Sequence, residues 1–191
     1  MFPEELLAKI SKILKDLKIP YAITGGFAIS VWGRIRSSLD IDIVVEMQEK
    51  DIKPLVKMII KMDKNVYADE NMIRDALLHK SEFNFIHPDS GMKVDFFILA
   101  DNFYNKLKIR RAILRDVFGV TKAYFVSPED LILSKLLWVK ENDSDKQKED
   151  IKSVFERQKQ KLDIGYIKGW AEKHETADIL ENLIKEVKRD L

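Results

Sequence analysis

Two aspartates one residue apart, Asp40 and Asp42, open the run Asp40-Ile41-Asp42-Ile43-Val44-Val45, whose β-branched residues suit a strand. Alternation along a strand sends Asp40, Asp42 and Val44 to one face and Ile41, Ile43 and Val45 to the other. The two carboxylates then stand about 7 Å apart at the backbone. Side by side they repel, and burying them is costly. A divalent cation removes that cost, and Mg²⁺ favours a few carboxylates together with phosphate oxygens. The plain alternative is a strand with its polar face in water. Two neighbours favour the metal. Gly25-Gly26 falls between a short strand, Tyr21 to Thr24, and a helix from Phe27 to Trp32. A glycine pair there lets backbone N–H groups approach a phosphate closely, though a tight turn would use it equally well. Asp95 interrupts the apolar strand Lys93-Val94-Asp95-Phe96-Phe97-Ile98-Leu99. An unpaired carboxylate in such a place is expensive, and a metal shared with Asp40 and Asp42 accounts for it.

The elements that must position these groups follow from local signals. Leu6, Ile10, Ile13 and Leu17 recur at helical spacing, and Ile19-Pro20 ends that helix. The same stretch interleaves charged and apolar residues, as an amphipathic helix does and a signal peptide does not. Helices are expected over 51–62 and 69–80, and strands over 83–87 and 92–99 joined by the turn Pro88-Asp89-Ser90-Gly91. A second strand pair, 111–117 and 121–126, turns around Phe118-Gly119. From Ser127 onward the chain reads as helix throughout. Ser127-Pro128 caps a helix to Glu141, and further helices cover 146–161, 164–174 and 177–187, with Asp163 and Thr176 as caps. The fold class is therefore α+β, a mixed sheet flanked by helices over residues 1–126 with an all-helical part over 127–191.

Composition sets limits. The 191 residues carry 33 Lys+Arg and 32 Asp+Glu, a formal charge of +1, so no general basicity argues for wrapping nucleic acid. A hydrophobic fraction of 46% supports a packed core. The absence of cysteine excludes disulfides, thiolate metal sites and cysteine nucleophiles. No apolar run approaches the ~20 residues needed to span a bilayer, so a soluble, cytoplasmic protein with no membrane partner is expected. His79, His87 and His174 share no metal-ligand spacing, and Trp32, Trp138 and Trp170 read as core residues.

The stretch Ile23-Thr24-Gly25-Gly26 through Asp40-Ile41-Asp42 resembles the signature of polymerase-beta-like nucleotidyltransferases, a glycine pair followed about a dozen residues later by Asp-x-Asp. Lys93 to Leu99 is similar to the strand bearing that superfamily's third acid, here Asp95. Ser127 to Trp138, followed by Asp145 to Ile151, resembles the AbiEii-type branch, often found as toxins of toxin–antitoxin pairs, which has a helix with an acid, a spacer and a lysine and then a later helix with paired aspartates; Asp130, Lys135, Asp145 and Asp150 fall on those positions. Together these segments cover most of residues 20 to 151.

The resemblance implies a magnesium-dependent transfer of a nucleoside monophosphate from a triphosphate to a hydroxyl. Asp40 and Asp42 would hold two Mg²⁺ ions, Asp95 would serve the attacking side, and Gly25 and Gly26 would cradle the outer phosphates. Arg36, Ser38 and Lys135 are the expected phosphate contacts. Arg36 could equally form a surface salt bridge, and Lys135 could sit at the edge of its apolar helix. The acceptor is open among RNA, a protein and a small molecule, and a cognate antitoxin would be a partner. The rival reading is an inactive nucleotidyltransferase fold acting as a nucleotide-binding or regulatory protein; the presence of all three acids speaks against it.

Overall fold

Helix α1 (Pro3–Asp16) starts where Pro3 supplies a preset φ and Glu5 accepts a hydrogen bond from the Phe2 amide at 3.0 Å. Its buried face carries Leu6, Leu7, Ile10, Ile13 and Leu14, and it packs against α3 and β6, defined below. The computed structural model describes residues 1–117 and 119–189. They divide into two compact units, one of residues 1–26 with 38–126, the other of 27–37 with 127–191.

In the first unit the described strands form one six-stranded mixed sheet. They are β1 (Tyr21–Ile23), β2 (Asp40–Val45), β3 (Glu82–His87), β4 (Met92–Ile98), β5 (Ile113–Val117) and β6 (Thr121–Phe125), in the spatial order β3-β4-β2-β1-β6-β5. β2 runs antiparallel to β1 and parallel to β4, while β1 and β6 are parallel. The hairpins β3–β4 and β5–β6 are antiparallel. The expected turn at 88–91 closes the first, with Gly91 at φ +66°. Phe118, expected at the second turn, lies outside the described residues, while its neighbour Gly119 has φ +76°. Helices α3 (Glu49–Met62) and α4 (Glu70–His79) pack on one another, α3 also on α1 and α4 also on β3. Asp69 caps α4 by accepting from the amides of Asn71 and Met72.

One helix escapes the sequence patterns. α5 (Phe103–Arg110) is capped by Asn102, which accepts from the Asn105 amide at 2.9 Å, yet the residue it buries is Lys108. It presents no apolar stripe, so periodicity does not reveal it.

The second unit is helical. α6 (Pro128–Asn142), α7 (Asp145–Gln158), α8 (Ile164–Lys173) and α9 (Ala177–Arg189) pack as a bundle, with α6 touching the other three. Ser127 caps α6 as expected, its hydroxyl accepting from the Asp130 amide at 3.1 Å and donating to Asp130 Oδ2 at 2.7 Å. Residues 27–37 join this unit. Arg157 donates to the Gly33 carbonyl and Gln158 to that of Trp32. Gly33 packs so tightly on α7 that a Cβ there would sit 2.4 Å from Ser153 Oγ. Trp32 is buried, as expected, but Trp138 is 50% exposed. It shares the outward stripe of α6 with Ser134, one turn earlier, while Leu131, Ile132, Lys135, Leu136 and Val139 face inward. Among the described residues no helix is long and apolar enough to cross a membrane.

Candidate active site

Helix α2 (Gly25–Trp32) begins directly after β1, so both glycines form its first residues. Gly25 has φ +60°, a conformation L side chains rarely adopt. Space reinforces that demand: a Cβ on Gly25 would lie 1.9 Å from Asp42 Oδ2, 2.5 Å from its Cγ and 2.9 Å from its Cβ. The Asp42 side chain therefore lies directly over the Gly25 Cα. The Thr24 amide donates to the Asp42 carbonyl at 2.9 Å and holds the two segments together.

The β2–β4 register brings in the third acid. Asp42 is the lateral partner of Asp95, and Asp40 that of Lys93. In parallel strands such neighbours share a face, so Asp40, Asp42, Lys93 and Asp95 form one polar patch on the sheet. Its opposite face carries the buried Ile41, Ile43, Val94 and Phe96. Asp95 is itself buried, at 5% exposure. Its Oδ1 lies 2.6 Å from the Lys93 ammonium, an ion pair, but the angle is poor and that oxygen has no geometrically sound hydrogen bond. The Asp95 carboxylate holds Lys93 above the ordinary lysine range, against the opposing pull of burial, with Glu82 and Asp40 adding smaller contributions. Ser38, just upstream, is engaged locally, its hydroxyl donating to the Asp40 carbonyl at 3.0 Å.

Lys93 escaped the sequence reading, although its i, i+2 relation to Asp95 on a strand was a usable signal. It is the cation paired with Asp95, and among the described residues the Asp40, Asp42 and Asp95 oxygens do not form a tight ligand cluster. Asp40, Asp42 and Asp95 offer carboxylate oxygens alone, a donor set that suits a hard divalent cation. A cavity of about 690 Å³ in the same unit lies past the other end of β2, lined by Glu46, Met47 and Gln48, and contains none of these residues.

In the helical unit, Lys135 and Asp150 meet. Lys135, 6% exposed, donates to Asp150 Oδ2 at 2.9 Å and to Gln147 Oε1 at 2.6 Å. Asp150 is fully buried and also receives Arg34 Nη2 at 3.2 Å and Arg36 Nη1 at 3.3 Å. Arg36 thus forms a salt bridge, and to a buried partner rather than a surface one. Three cations surround one carboxylate. The other two acids of the helical motif lie apart: Asp130 is buried against Ser127 and Tyr166, and Asp145 opens α7 on the surface.

Gly25→Ala tests the glycine contact. The left-handed backbone alone costs about 1–2 kcal/mol for a residue with a Cβ. The whole Asp42 side chain, not only its tip, must also shift. Urea unfolding should show at least that loss, and any nucleotidyl transfer should fall with it. Unchanged stability would mean that Asp42 does not rest on Gly25.

A mixed sheet with a glycine pair at a helix start, an Asp-x-Asp strand and a third acid on the neighbouring strand defines the nucleotidyltransferase class. The family model described as "Nucleotidyltransferase of unknown function (DUF6036)" matches residues 4–187, and the chain belongs to that family of enzymes. No curated protein matches the sequence. Among solved structures, ANT(2")-Ia in complex with adenylyl-2"-tobramycin is similar at 16% identity and TM-score 0.54, over 91% of this chain and 97% of that one. An antigenic nucleotidyltransferase-like protein from Paracoccidioides brasiliensis is similar at 16% identity and TM-score 0.52, over 95% and 91%. The lincosamide antibiotic adenylyltransferase LnuA, lincomycin-bound, is similar at 16% identity and TM-score 0.50, over 81% and 96%. At these identities the likeness is one of fold.

Proposed function

We propose that the protein transfers a nucleoside monophosphate from a nucleoside triphosphate to a hydroxyl acceptor, using Asp40, Asp42 and Asp95 to hold two Mg²⁺ ions. The observation that carries this reading is the Asp42 carboxylate, packed on the Gly25 Cα and in lateral register with Asp95. When bound, the ions neutralise charge on the triphosphate and on the attacking and leaving oxygens of the displacement. Gly25 and Gly26 offer helix N-terminal amides to the outer phosphates. Ser38 adds a hydroxyl beside Asp40, and Asp95 favours loss of the acceptor's proton. The acceptor oxygen forms a bond to the α-phosphorus, the bond to the bridging oxygen breaks, and pyrophosphate leaves.

Arg36 and Lys135 are the cations proposed for the phosphates. Both turn to the carboxylate of Asp150, as does Arg34, and guanidinium and ammonium groups suit phosphate oxygens. The Lys135–Asp150 pair also gives the AbiEii-like pattern a physical meaning, the acid neutralising a lysine on an apolar helix. A toxin role with a cognate antitoxin in the cytoplasm rests on that pattern. RNA, protein and small-molecule hydroxyls are the acceptor classes to test. The titles of the fold neighbours make aminoglycoside and lincosamide hydroxyls worth including.

The test is incubation with labelled ATP, GTP, CTP and UTP, Mg²⁺ and each acceptor class. Label should pass to one of them. Asp95→Ala should lower turnover at saturating triphosphate by about a hundredfold or more, while triphosphate affinity changes little. Loss of affinity without loss of turnover in the bound complex would assign Asp95 to triphosphate binding instead. Absence of transfer to every class would remove the reading.

A further inference from the structure

A second cluster lies on the other face of the sheet from Asp95. His87 ends β3 and pairs laterally with Met92. Met92 is three residues from Asp95, an odd step, so His87 belongs to the opposite, core-facing side. Its imidazole is fully buried, and Nε2 has no hydrogen-bond partner. That nitrogen lies 3.4 Å from Asp63 Oδ2. Asp63 follows α3 as its C-terminal cap, and its other oxygen accepts from the Asn65 amide at 2.8 Å. Asp89, in the β3–β4 turn, completes the group: one ligand atom from each of Asp63, His87 and Asp89 lies within 4.8 Å of the other two. It is the group of three such ligands found among the described residues.

The second nitrogen of the ring is already oriented. Nδ1 lies 2.9 Å from Ser90 Oγ and accepts from the Ser90 amide at 3.3 Å, so the β3–β4 turn fixes the ring with Nε2 on the side of the two carboxylates. An imidazole with two carboxylates suits Zn²⁺ or a neighbouring first-row ion and is a poor match for Mg²⁺, which prefers oxygen.

We propose that Asp63, His87 and Asp89 form a transition-metal site, separate from the Asp40/Asp42/Asp95 patch, that ties the end of α3 to the β3–β4 turn. Water completes the tetrahedron around the ion. The site is a staple within the first unit and takes no part in the transfer reaction, so it stands whether or not the proposed activity does.

The experiment uses the full chain after chelation and dialysis, with Zn²⁺ alone as the probe. Calorimetry should give one ion per chain. At a hundredfold excess over Kd, Tm should rise by about 5–10 °C. Co²⁺ in place of Zn²⁺ should give visible bands of four-coordinate N/O ligation. Asp89→Asn is the main variant, because Asp89 is exposed and its change does not threaten folding. It should weaken Zn²⁺ binding by about tenfold or more. Asp63→Asn should do the same and remove the Co²⁺ bands. Asp42→Asn should leave both responses intact, and millimolar Mg²⁺ should not displace Zn²⁺. Unchanged Zn²⁺ affinity in both Asp89→Asn and Asp63→Asn would overturn the assignment. So would loss of the response in Asp42→Asn, or no stoichiometric binding to the wild-type chain.

Discussion

Asp42→Asn should yield a folded protein in which the proposed nucleotidyl transfer is lost. The amide keeps the shape that fits over the Gly25 Cα, so the β2–α2 packing survives. What disappears is the charge. Asp42 stands beside Asp95 in the sheet, carboxylate next to carboxylate. Neutralising one relieves that repulsion, so Tm without metal should equal or exceed the wild-type value. Activity moves the other way. A carboxylate that organises charge at the reacting phosphate contributes mainly in the transition state, and its loss costs at least about a hundredfold in turnover. The measurement is label transfer at saturating triphosphate and Mg²⁺, paired with a thermal melt. Wild-type turnover in a folded Asp42→Asn variant would end the metal-carboxylate reading. A melt lowered by several degrees would show instead that the interactions of the Asp42 carboxylate outweigh the repulsion it brings.

Asp150→Ala should produce the largest loss of stability. Asp150 is fully buried and is the carboxylate to which Arg34, Arg36 and Lys135 all turn. The arginines keep partial access to water, but Lys135 is buried. Removing one partner of a buried ion pair typically costs about 3–5 kcal/mol, because the remaining charge stays desolvated. For a chain of this size that corresponds to a fall in Tm of about 6–20 °C. Lys135→Met keeps the apolar stem and leaves Asp150 with two guanidinium groups, so it should cost much less. The double variant, set against the two single ones, gives the coupling energy of the Lys135–Asp150 pair. If Asp150→Ala and the double variant melt together, the cost lies with the arginines. The Lys135→Met protein also reports on function: the loss of one charge-assisted phosphate contact should weaken triphosphate binding by about tenfold or more and leave monophosphate binding nearly unchanged.

The contrast between these residues shows what was legible in the chain. Asp40 and Asp42 could be placed on one face because strand alternation is a property of consecutive residues. Gly25-Gly26 at a strand-to-helix junction, the Pro88–Gly91 turn and the Ser127-Pro128 cap are equally local, and each falls where its chemistry requires. The helix at 103–110 was hidden for the same reason, since it buries a lysine and carries no periodic apolar face.

Tertiary structure decided which distant segments meet. The parallel pairing of β2 with β4 puts Asp95 beside Asp42 and Lys93 beside Asp40, across more than fifty intervening residues. No local pattern carries strand order, because lateral pairing is selected by how whole sheet faces bury their apolar residues. Arg34 reaches Asp150 across 116 positions, and that contact turns a residue with no distinguishing sequence context into part of a buried ion cluster. His87 looked like an ordinary turn histidine. Only the packing of α3 against its neighbours brings Asp63 to 3.4 Å from its buried nitrogen. The sequence by itself determined the residue types, their faces and the class of chemistry they suit. The folded chain determined which charges face one another and how deeply they are buried, and those two quantities set both the energy of each pair and its capacity to hold a cation or a phosphate.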